Sequence, residues 1–98
     1  MTLEMARWKA RCLATTTGEP AVIFRCPISG WEVWHTLAAA KWLAQDGELV
    51  IPDQVRDPEE TERQLRLEAA KLRGTARLKL LEAAMDMRCR RGRRHGAA

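Results

Sequence analysis

Leu65, Ala69, Leu72, Ala76, Leu80, Ala83 and Met87 recur every three or four residues along the C-terminal part of the chain. That spacing lays one apolar stripe along a helix of roughly eight turns. The start of this helix is marked by Asp57 as N-cap, Pro58 at the first helical position and Glu60 at the third. Glu59–Arg63, Glu62–Arg66 and Asp86–Arg90 stand four apart with the acid first, the favourable order for helix pairs. Gly74-Thr75 interrupts the pattern, and a mid-helix glycine costs about 1 kcal/mol relative to alanine. Because the stripe keeps its phase across Gly74, one long amphipathic helix, kinked there, is favoured over a short helical hairpin.

The N-terminal half reads differently. Ala21-Val22-Ile23-Phe24-Arg25-Cys26 is the clearest strand, rich in β-formers, and residues 17–20 are a turn. Trp8, Ala10 and Cys12 alternate with Arg7, Lys9 and Arg11, which predicts that residues 6–15 pair with that strand as an N-terminal β-hairpin. Met5, Trp8 and Cys12 also match helical spacing, so a helix is the competing reading. Residues 29–46 are expected as a Trp-rich helix, with capping-box spacing at Ser29 and Glu32 and a glycine stop at Gly47. The competing reading makes residues 31–35 a strand, with the helix starting at Thr36. A short strand follows at 48–51, ended by Pro52. The expectation is one α+β domain over residues 1–91, then a basic, disordered tail over 92–98.

With 98 residues there is room for one small domain. A hydrophobic share of 46% with 31% charged residues is ordinary for a soluble globular protein. No apolar run approaches the ~20 residues that span a bilayer, and the start of the chain lacks the basic and apolar blocks of a secretory signal. Cys12, Cys26 and Cys89 are an odd count without paired spacing, which favours buried thiols in a reducing cytoplasm over a disulfide framework.

Little in the chain could carry chemistry. His35 and His95 are the only histidines. The cysteines and histidines form no zinc-ligand pattern, and no phosphate-cradling glycine loop or nucleophile elbow is present. Helix capping explains Asp57, Glu59 and Glu60. The expectation is a non-enzymatic protein with neither metal nor cofactor.

Charge and tryptophan carry the functional lead. Residues 61–98 hold eleven basic and four acidic residues, a net of +7, whereas residues 1–60 hold six basic and nine acidic, a net of −3. Five arginines crowd the end: Arg88, Arg90, Arg91, Arg93 and Arg94. Arg7, Lys9 and Arg11 would add a second basic row on one face of a first strand. Arginine suits bidentate contact with phosphate or carboxylate, so both groups point to nucleic acid or an acidic protein surface. The acidic segment 46–60 could also answer the basic helix, within one molecule or in a second copy, and the amphipathic helix suits a homodimer.

Four tryptophans stand beside a single Phe24 and no tyrosine. Trp8 and Trp42 are expected to fill the core, whereas Trp31 and Trp34 are candidates for an exposed hot spot or a base-stacking platform. Two functions follow from these features, the first favoured and the second its alternative. The first is phosphate-backbone binding through the basic helix. The second is an inhibitor or adaptor, of the kind phages and plasmids encode, that grips a larger nucleic-acid-handling complex through a Trp patch and the arginines.

Overall fold

The computed structural model describes residues 1–44 and 46–96, with side chains over 1–43 and 46–92. Its elements in chain order are α1 (Leu3–Thr17), β1 (Ala21–Cys26), β2 (Gly30–Trp34), a 3₁₀ helix (Leu37–Ala44), β3 (Glu48–Val50), α2 (Pro58–Ala70) and α3 (Gly74–Gly96). The expected α+β class holds. Three antiparallel strands in the order β2-β1-β3 form the central layer. α1 covers one face of the sheet, and the 3₁₀ helix, α2 and α3 cover the other.

Residues 6–15 are helix, not the strand that alternation suggested. Ala6, Ala10 and Ala14 recur every four residues and are fully buried, so a narrow alanine face lies close against Ala21 and Ile23 of β1. Thr2 caps the start by accepting from the Met5 amide at 3.2 Å, and Gly18 caps the end by donating to the Ala14 carbonyl at 2.8 Å. β1 needs no strand from this segment, because β2 and β3 flank it on both sides.

The N-terminal hairpin is instead β1–β2. Residues 30–34 are strand, and helical structure starts only at Leu37, which was the competing reading. Gly30 closes the turn at φ 79°, a left-handed conformation that costs glycine nothing. The spacing that resembled a capping box serves this turn: the Ser29 hydroxyl donates to the Glu32 carboxylate at 2.6 Å. Cross-strand partners Val22 and Trp34, and Phe24 and Glu32, fix the register. The outer edge of β2 is met at one point by the start of the chain, where the Trp31 amide donates to the Met1 carbonyl at 3.3 Å.

The C-terminal stripe is the buried face, but the chain reverses within it. α2 ends at Ala70 and α3 begins at Gly74, which sits at φ 65° with nothing near its Cβ position. The result is the helical hairpin, not one kinked helix. Leu65, Ala69, Ala76, Leu80, Ala83 and Met87 therefore pack between the two helices and onto Val22, Phe24 and Leu43. The start of α2 is as the sequence reads, with Asp57 accepting from the Glu60 amide at 3.1 Å and Pro58 in the first turn. Residues 92–96, expected in the tail, continue α3 as helix. No helix among the described residues is long and apolar enough to cross a membrane.

Candidate interaction surfaces

The arginine cluster lies at the end of α3, where the hairpin sets it beside the start of α2. Glu62 occupies the junction. Its side chain is only 7% exposed and accepts from Arg66 at 3.0 Å and Arg91 at 2.7 Å, with Arg88 Nε at 3.5 Å. Burial alone would push the Glu62 carboxyl up. The Arg66 hydrogen bond and the Arg91 and Arg88 charges outweigh it, so Glu62 titrates below the usual carboxylate range. Arg90 bridges to Asp86 at 3.0 Å and donates to the Pro52 carbonyl at 2.7 Å. Of the five arginines singled out, Arg88 is the most open of those described, at 63%. The side chains of Arg93 and Arg94 lie outside the described residues.

The segregation of charge is thus partly answered from within. Glu59 stands 3.9 Å from Arg91, and the Pro52 carbonyl belongs to the acidic segment that was expected to face the basic helix. Arg63 pairs with Glu60 rather than Glu59. Hydrogen bonds from Arg63 and Gln64 lower the Glu60 carboxyl to about 2.

The second basic row is divided. On helix α1, Arg7 and Arg11 lie one turn apart, whereas Lys9 points away from both. Arg7 is committed to β3: it grips Glu48 bidentately at 2.9 and 2.6 Å, holding the Glu48 carboxyl down. Lys9 and Arg11 are exposed.

The tryptophans are not placed as expected. Strand geometry separates Trp31 from Trp34, because neighbours on β2 alternate between faces. Trp31 is partly buried against the cluster under α1. Trp34 lies on the opposite face, 49% exposed, and is joined there by Trp42 of the 3₁₀ helix, 53% exposed. Phe24 stands between them in the core, edge-on to Trp34 at 6.2 Å and stacked on Trp42 at 6.1 Å. Lys41 Nζ sits 5.5 Å from the Trp42 ring centroid. Trp42 and Trp8 are therefore surface residues rather than core, and Trp8 is the more exposed at 69%. Trp42 reads as core because, in an α-helix over 29–46, apolar residues wrap much of the circumference, as expected of a helix packed on more than one side. The competing strand reading of 31–35 already carried the signal that Trp31 and Trp34 part company.

Cys12 and Cys89 are exposed free thiols, contrary to the expectation of burial, and Cys26 is partly buried. Among the described residues no three His, Cys, Asp or Glu side chains gather as metal ligands would. His35 opens onto a groove of about 340 Å³ with Glu19, Glu60, Gln64 and Glu68 on its walls. No family model, no curated protein and no solved structure matches this chain.

Proposed function

We propose that this chain is a small non-enzymatic protein that binds a larger protein partner through the Trp34–Phe24–Trp42 platform. One observation carries the reading: two half-exposed tryptophans flank a phenylalanine that is itself only 7% exposed. A ring anchored in the core holds its neighbours still, so little ordering entropy is lost when a partner covers them. Exposed Trp in such a setting is the typical anchor of a protein–protein hot spot. Lys41 at the rim supports a partner with acidic residues near its apolar contact. An inhibitor or adaptor of a nucleic-acid-handling complex fits this surface. Capture of a partner from the native host should survive nuclease treatment and fail for Trp34→Ala or Trp42→Ala. Capture unaffected by both substitutions would sink the proposal.

A second reading, direct binding of nucleic acid, is supported by Arg73 and Arg77. Both are exposed on the α2–α3 hairpin and have no ion-pair partner among the described residues; Arg88, farther along α3, is 63% exposed but already faces Glu62 at 3.5 Å. Backbone binding would weaken with salt by a log–log slope of about −0.9 per phosphate neutralised on duplex DNA. Absence of any gel shift with DNA or RNA at about 50 mM salt would exclude it.

A further inference from the structure

The α2–α3 stripe is consumed inside the molecule, so it does not supply the self-association face that its amphipathic pattern suggested. α1 does leave such a face open. Its inner side is the alanine row against the sheet, and its outer side carries Met5 (59% exposed), Trp8 (69%) and the exposed thiol of Cys12. At about 100° per residue these three fall within roughly 60° of arc, a continuous apolar strip on a helix that is an outer layer of the fold. Single exposed apolar residues need no explanation, but a strip centred on Trp calls for a partner.

The charges beside the strip identify that partner. Glu4 and Arg11 both border it on one side, both are exposed, and neither forms an ion pair among the described residues. Arg7, the basic residue closest in sequence to Glu4, is held by Glu48. Consider two α1 helices packed antiparallel about a two-fold axis through Trp8. Residues whose numbers add to about sixteen then face each other. Trp8 meets Trp8 of the second copy, Met5 meets Cys12, and Glu4 meets Arg11. A two-fold axis perpendicular to both helices keeps a flanking residue on the same side of the interface in each copy. Glu4 and Arg11 therefore come together, twice, with opposite charge. Lys9 borders the strip on the other flank, as near to it as Glu4, where it lies beside Lys9 of the second copy and its exposed, flexible stem carries the charge out to water.

We infer that this face of α1 is a self-association surface, and that the occupant is a second copy of this chain docked antiparallel through Met5, Trp8 and Cys12 with two Glu4–Arg11 pairs at its rim. The arrangement is isologous and closes at two copies. A 15-residue helix is about 22 Å long, so the contact falls below the roughly 1,200 Å² of a standard interface. The dimer is accordingly weak and concentration-dependent.

Sedimentation equilibrium on the full chain over a concentration series tests this. The mass should rise from the 11.1 kDa monomer towards twice that value, and Trp8→Glu should stay monomeric, with an unchanged far-ultraviolet circular dichroism spectrum and a melting temperature that equals that of dilute wild type and does not move with concentration. Glu4→Arg should weaken association at least several-fold, and the double variant Glu4→Arg/Arg11→Glu should restore it. In a Cys26→Ser/Cys89→Ser background, Met5→Cys should form a disulfide-linked dimer through Cys12 under mild oxidation. A monomer at every concentration up to about 1 mM overturns the proposal. So does a dimer indifferent to Trp8→Glu or not restored by the charge swap.

Discussion

Glu62 shows how one buried carboxylate can organise a basic surface. Three guanidiniums converge on it from two helices, so its folded-state pKa is lowered relative to the unfolded chain. A carboxyl of that kind contributes stability above its unfolded value, about pH 4.3, and the contribution is lost as the pH falls through the folded value. Glu48 and Glu60 shift in the same direction and add to the same acid limb. The midpoint of urea denaturation should therefore be flat near neutrality and fall below about pH 4.3. Glu62→Gln should cost about 1–3 kcal/mol at pH 7 and flatten that acid limb. An acid limb as steep as wild type would show that the Glu62 cluster does not couple to folding. The Glu62–Arg66 pair was readable from spacing along the chain. Arg88 and Arg91 were not, because their approach to Glu62 depends on the reversal at Gly74.

At the scale of elements, two devices fix the helical layer. Gly74 supplies the left-handed residue at which the chain leaves α2 and enters α3, with open space around it. Gly74→Ala should therefore cost about 1–2 kcal/mol through backbone strain alone, read as a lower urea midpoint with an unchanged slope. Lys79 of α3 donates to the Leu43 carbonyl at 2.9 Å and the Gly47 carbonyl at 2.7 Å, closing the end of the 3₁₀ helix. Lys79→Met keeps the stem and removes both bonds. It should cost about 1.5–3 kcal/mol and speed amide exchange in residues 39–44, while exchange in α1 stays slow. The elements legible in the sequence were those whose signal is local: the Asp57-Pro58 cap, the β-branched run of β1, and the C-terminal stripe. α1 and β2 were misread for a shared reason. Each carries a short pattern that satisfies two periods, and packing decided between them. Ala6, Ala10 and Ala14 fit under a sheet only as a helix, and Trp31 and Trp34 belong on opposite faces of a strand.

For the whole molecule, the three layers explain why the charge division did not translate directly into a binding face. The sheet is covered on both sides, and the acidic loop before α2 is folded back on the basic end of α3. Helical spacing over 29–46 also sets Trp34 and Trp42 on one face, but with Trp31 beside them; in the fold the two meet instead through the packing of the 3₁₀ helix on β1, which parts them from Trp31. A last consequence follows from the bond between the Trp31 amide and the Met1 carbonyl. β2 is an outer strand, and an outer strand with unpaired amides is a template on which other chains can add. Met1 acts as a stopper on that row, beside the most aromatic strand of the fold. A chain lacking Met1 should keep its secondary structure yet form thioflavin-positive aggregate sooner than the full chain at equal concentration. Equal lag times would show that β2 is guarded by other means.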